Sequence, residues 1–337
     1  MPRKVKADTR KRWCLAQVFV LATSLSAAGS VRQSDVPEAA RQAYDASNYG
    51  EAVKELQAAA VKNPKNGDVQ LLLTKCYLEL QEHDAAVNSA ERAVAIDPNS
   101  SLYHEWLGKA YGEKASHASM FSALSLAKKT HKEFETAVQL DERNYSARQA
   151  LIEFDCSAPG IAGGGEDKAK PEIARLQEMD ASEWHYAEGN CRRQKKDYAA
   201  ADAEFAKSLQ SHPKSPELIY DIGDYAIKRS EPATLLEVAD LGEHVAPADP
   251  RGKFFRAVAL ILKNEKPEVS ERLLREYLQN APKRNGFPRY ATAHEWLGRL
   301  YENMGERAQA EKEYRAALQL DPKDKNARDA LKRLGKE

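Results

Sequence analysis

The pentapeptide HEWLG occurs twice, at His104 to Gly108 and at His294 to Gly298. A His-Glu pair on a helix begins the HExxH zinc signature, in which a second His one turn on completes the metal grip. Gly108 and Gly298 stand where that His belongs, so the grip is absent. The other histidines (His83, His117, His131, His185, His212 and His244) are scattered and suggest no triad or metal set. Gly163-Gly164-Gly165, with Lys168 close behind, could present backbone N–H groups to a phosphate. It lacks the G-x4-G-K-[ST] spacing and no strand precedes it. It therefore reads as a connector, with Asp167 capping the next helix and Pro171 tolerated in that helix's first turn. A phosphate or small-ligand binder, or an enzyme subunit using this loop, is the alternative. No catalytic residue, metal or cofactor emerges, and the expected class is non-enzymatic.

The elements that would position any site are helical. In Thr292 to Lys323, Trp296, Leu297, Leu300 and Tyr301 recur at three- and four-residue spacing and share one helical face. Gly305 stops that helix. Ala310, Tyr314, Ala317, Leu318 and Leu320 line a second helix, which Asp321-Pro322 ends because a residue before proline is pushed out of helical geometry. Such a hairpin cannot bury its apolar face alone and needs copies on either side.

The hairpin resembles the tetratricopeptide repeat, a 34-residue helix–turn–helix with the pattern W-x2-L-G-x2-Y, A-x3-F, A and P. Leu297, Gly298, Tyr301, Ala310, Ala317 and Pro322 match, Tyr314 replaces the Phe, and His294 holds the Trp place with Trp296 two residues later. Pro64, Pro98, Pro213, Pro247, Pro282 and Pro322 mark the ends of second helices. About eight units are expected over residues 34–322, beginning near 33, 67, 101, 145, 182, 216, 251 and 291, with a polar capping helix in 323–337. Units three and four, 101–180, are irregular. ASHASMFSALSLAKK carries no Gly or Pro and is expected to extend a second helix, and SAPGIAGGGEDKAK interrupts the next hairpin. This pair of departures resembles a stretch of exported bacterial repeat proteins of the same family. The resemblance implies an all-α, right-handed superhelical solenoid.

Residues 1–30 read as a secretory signal. Arg3, Lys4, Lys6, Arg10, Lys11 and Arg12 precede the apolar run Trp13 to Leu25, and Ser26-Ala27-Ala28-Gly29 offers a cleavage site. The whole chain balances 51 basic against 51 acidic residues. Residues 1–28 hold six basic residues and one acidic, so cleavage leaves 45 against 50, a net charge of −5. That balance argues against nucleic-acid or anionic-membrane partners, and no membrane span is expected after cleavage. Periplasm or cell envelope is the expected location, possible secretion included. Cys76, Cys156 and Cys191 remain. Cys156 and Cys191 lie on adjacent first helices, but a two-position difference in register tends to aim them apart. Core filling is the expected role and a bridge the alternative.

In the resembled family, first helices line a concave surface where peptides of partner proteins dock. A protein-interaction scaffold is the leading expectation, with a structural envelope-assembly subunit as another. Arg41, Lys75 and Lys109 recur every 34 residues and would form a basic ladder in the groove, suited to carboxylates. Tyr186, Tyr220 and Phe255 share the fifth position of units five to seven, also a groove position in the family pattern. Aromatics make up 8% of the chain, so three in succession at one position argue for a purpose. Partner anchors and groove-floor packing are the two readings, and at least one of Tyr186 and Tyr220 is expected to be an anchor.

Overall fold

A computed structural model describes residues 36–335 of the chain; the expected signal segment lies outside them. The described residues form seventeen α-helices and one short 3-10 turn, with no strand. They run as consecutive hairpins: α1 (Glu38–Asp45) with α2 (Tyr49–Lys62), α3 (Gly67–Glu79) with α4 (His83–Ile96), and α5 (Ser101–Ser116) with α6 (Met120–Leu140). Then come α7 (Tyr145–Ser157) with α8 (Glu166–Met179), and α9 (Ala181–Gln194) with α10 (Tyr198–Gln210). After them stand α11 (Pro216–Arg229) with α12 (Pro232–Val245), α13 (Arg251–Lys263) with α14 (Pro267–Asn280), α15 (Tyr290–Asn303) with α16 (Arg307–Leu320), and last α17 (Lys325–Leu334). The architecture is an all-α superhelical solenoid. Among the described residues, no helix is long and apolar enough to cross a membrane.

Local chemistry explains where these helices start and stop. Asn66, Ser100, Asn144, Asp180 and Ser215 precede first helices, and each side chain accepts a backbone N–H of the first turn. Such a cap stabilises a helix by about 1 kcal/mol. Asp97 and Asp321 are extended residues ahead of Pro98 and Pro322, and α4 and α16 stop at them.

Within a hairpin, one glycine lets a ring lie flat on the first helix. A Cβ on Gly108, Gly189 or Gly298 would stand 2.6 Å from the ring of Phe134, Phe205 or Tyr314 respectively. The sixth unit departs from this, because Ala239 occupies the ring's place and Phe255 of the next unit fills the gap over Gly223, at 2.7 Å. The apolar core is continuous through α9–α15 and through α1–α6.

Between those stretches, buried ionic groups do part of the work. Arg148, 3% exposed, pairs with Glu172 and donates to the Glu142 carbonyl at 3.1 Å. His131 Nε2 lies 3.0 Å from the Asp155 carboxylate, both side chains being buried. Breaking one partner of such a pair costs more than its presence contributes.

The irregular units differ in detail from the sequence-based picture. The additional residues of unit three lengthen both helices, with α5 running to Ser116 and α6 taking 21 residues. Asp167 is not a helix cap: α8 starts at Glu166 behind Gly165, and Asp167 pairs with Lys170 at 2.9 Å. Pro171 lies inside α8 rather than in its first turn. Cys156 and Cys191 are joined by a disulfide, their Cα atoms 5.3 Å apart, which corrects the expectation that they point away from each other. The ends of α7 and α9 converge there, because these helices pack directly on each other. Cys76 is a buried free thiol.

The segment between α14 and α15 crosses to the start of the array. Tyr49 Oη donates to the Lys283 carbonyl at 2.9 Å, and Lys283 N donates to Ser47 Oγ at 2.7 Å. Asn285 N donates to Glu79 at 2.9 Å. From the other side, Arg251 donates to the Gly286 carbonyl at 3.1 Å and Tyr277 Oη to the Pro288 carbonyl at 2.6 Å. The segment thus ties the seventh unit to the first two.

Candidate concave interface

A groove of about 640 Å³ runs along the concave side, and its lining comes from α5, α7, α9, α11 and the start of α13, with Gly286 at one edge. The lining includes no residue of a second helix. Faces of five successive first helices thus form one floor.

At one end, Trp106 lies between two cations. Lys75 Nζ is 4.6 Å and Lys109 Nζ 4.7 Å from the indole centroid, a cation–π arrangement on both counts. Burial, and then the charge of Lys109, hold the Lys75 ammonium below the usual lysine range. Lys109 also meets Glu105 at 2.5 Å. Burial alone would raise the Glu105 carboxyl, but Lys109 with the hydrogen bonds from Ser146 and Asn144 outweighs it and holds the carboxyl low. The Arg41 guanidinium donates to the Val36 carbonyl at 2.8 Å, within its own unit.

The aromatic positions divide. Phe255 is fully buried and stacks on Tyr220 at 5.5 Å between centroids, so its ring is not offered to a partner. The missing ring at Ala239 explains it: the gap over Gly223 draws Phe255 inward. Tyr220 is 2% exposed, held between Phe255 and the Arg251 guanidinium, which lies 4.3 Å from its ring centroid. It too lines the groove. Tyr186 is half-buried, also lines the groove, and donates to Asp221 at 2.9 Å.

Toward α11 the floor becomes acidic, with Glu153, Glu183, Asp221 and Asp224 in its lining. Burial raises the Glu183 carboxyl, and burial followed by the charge of Asp221 raises Asp224 to about 6. Sequence reading missed Trp106 and these acids. The available signal was the Trp of HEWLG itself, displaced by two positions onto the groove face.

The remaining candidates that the sequence suggests have structural duties. His104 meets Glu133 at 2.6 Å, His185 meets Glu204 at 2.7 Å and His294 meets Glu313 at 2.6 Å, each pair joining the two helices of one hairpin. That pairing, rather than metal chemistry, accounts for the His of HEWLG. In the glycine loop, Gly163 N and Gly165 N donate to the carbonyls of Gly160 and Asp155, at 3.0 and 2.9 Å. Lys168 Nζ lies 2.5 Å from the Gly163 carbonyl. Two of the N–H groups a phosphate would need are thus already engaged. Left-handed backbone, with φ of 104° at Gly163 and 140° at Gly165, accounts for glycine at both places.

Comparison with known proteins finds partial similarities. The tetratricopeptide repeat family models match residues 43–110 and 291–324. Intraflagellar transport proteins 70B and 70A of Bos taurus are 25% and 24% identical over 203 residues, covering 58% of this chain and 29% of each relative. The chain therefore matches less than a third of the length of those relatives. Among solved structures, the APC/C hetero-tetramer Cut9-Hcn1 superposes with a TM-score of 0.48 at 15% identity, covering 88% of this chain and 54% of that one. The pilF protein of Pseudomonas aeruginosa gives a TM-score of 0.41 at 14% identity, covering 78% and 95%. Two segments of the chain thus match tetratricopeptide repeat models, and its successive helix hairpins have the architecture of that repeat.

Proposed function

We propose that the chain is a non-enzymatic scaffold that binds a segment of a partner protein along its concave groove. One observation carries the reading: five successive first helices contribute charged and aromatic side chains to a single open groove of about 640 Å³. A floor serving only to pack would be apolar and closed. Lys75 and Lys109, gathered on Trp106, supply a cationic end suited to an acidic side chain or a C-terminal carboxylate. Tyr186 offers a half-buried aromatic face farther along. A photo-crosslinking residue at Trp106 or Tyr186 is expected to capture the partner from cell-envelope extract, whereas one at Lys312 or Glu268 on second helices is not. Capture only from the second-helix positions would defeat the reading.

Export to the periplasm, envelope or medium belongs to the same proposal. A disulfide between Cys156 and Cys191 suits an oxidising compartment, and the N-terminal sequence has the form of a signal. Exported material is expected to begin near Gly29. An intact Met1 or Pro2 on it would contradict export by cleavage.

A further inference from the structure

We propose that the groove floor between α7 and α11 receives a cationic stretch of the partner, with lysine or arginine side chains reaching Glu183 and Asp224. The proposal rests on the scaffold reading and names the chemistry of its partner at this subsite.

Charge is the first reason. Among the described residues, neither Glu183 nor Asp224 has a lysine or arginine within ion-pair distance, while Glu153 and Asp221 share the single Arg193, at 3.6 and 3.5 Å. Glu183 is 8% exposed, and its carboxylate accepts only the Gln149 amide, at 2.8 Å. Burying the Glu183 carboxylate without an ion-pair partner is unfavourable, and its raised carboxyl registers that. Asp224 lies at the open surface of the floor and is raised as well, by desolvation and then by Asp221, against the weaker pull of Lys228 and Arg251. A cation delivered by a ligand would relieve it.

Unmet hydrogen bonding is the second, independent reason. Asn190 is 3% exposed and lines the groove, yet its Oδ1 has no donor. Gln149 Oε1, on the same floor, has none either. Buried acceptors of this kind are normally paired. Both accept N–H and cannot serve a carboxylate, so they fit a backbone amide or an ammonium.

The chain holds an example of the recognition in its own structure. The stretch Lys283-Arg284-Asn285 lies against the first units, with a backbone N–H on Glu79 and Arg284 near Asp45 at 3.9 Å and over Tyr44 at 5.8 Å. A cationic segment of this kind thus already docks beside an acid and a ring within this chain.

The test uses an alternating lysine–alanine peptide and its glutamate–alanine counterpart, titrated calorimetrically into the full mature chain. The lysine peptide is expected to bind at one saturable site, and the glutamate peptide not to reach it. Glu183→Gln and Asp224→Asn are each expected to weaken the lysine peptide about tenfold, a charge-assisted contact apiece. Glu82→Gln and Glu268→Gln, on the second-helix side, are the controls for diffuse attraction and are expected to change nothing. Should Glu183→Gln melt early, Asp224→Asn alone decides, since Asp224 is exposed. Equal binding of the two peptides, or equal losses in controls and test variants, would overturn the assignment. Crosslinking from Trp106 and Tyr186 could still succeed in that case, so the scaffold reading fails or stands separately.

Discussion

Phe255 shows how one residue's role depends on its neighbour's size. Position alone marks it as a groove residue beside Tyr186 and Tyr220. Ala239 in place of a ring leaves a gap over Gly223, and Phe255 turns into it. Phe255→Ala is therefore expected to destabilise the fold by about 3–5 kcal/mol, the usual range for removing a buried Phe. Tyr186→Phe removes only a hydroxyl bonded to Asp221 and is expected to cost about 1 kcal/mol. Paired thermal melts check this, and equal losses would contradict it. A second residue-scale prediction concerns pH. Asp224 titrates near 6 because burial and Asp221 raise it, against Lys228 and Arg251; Tyr277 also lies in its field. A cation prefers the ionised form, so lysine-peptide affinity is expected to rise between about pH 5 and pH 7 and level off above. Calorimetry on Asp224→Asn should show that rise flattened.

Helices and hairpins were legible because they depend on local chemistry, whereas the one cap read from the sequence, Asp167, is not a cap. Glycine, Asp-Pro and Asn or Ser at fixed offsets act within a few residues of where they stand. The irregular elements were harder to read for the opposite reason. Whether Cys156 meets Cys191 depends on how α7 rotates after the departure in unit four, and helical counting assumes a regular stack. The bridge closes a loop of 35 residues. Cys191→Ser is expected to lower stability by about 3–4 kcal/mol, from the loop-entropy relation. Denaturant unfolding with and without reductant tests it: a wild-type midpoint indifferent to reductant would contradict a stabilising bridge.

At the scale of the whole array, the long-range contacts were the least legible. The basic segment after Pro282 breaks the repeat period, since unit eight begins 40 residues after unit seven rather than 34. Periodicity marks such a stretch as additional without saying what it touches. The structure shows it holding Ser47, Tyr49 and Glu79 from the far end of the chain. Ser47→Ala, Tyr49→Phe and Glu79→Ala together remove the side chains that hold this backbone and are expected to loosen that closure and increase the radius of gyration in small-angle scattering. An unchanged radius would mean the first units are held by stacking alone.

The central claim is that first helices meet the partner and second helices do not. Hydrogen exchange of the crosslink-identified complex, read peptide by peptide, tests it most directly. The expected result is slowed exchange over 145–157, 181–194 and 216–229, with 166–179, 198–210 and 232–245 unchanged. Protection confined to the second set would place the partner on the outer face and contradict the account.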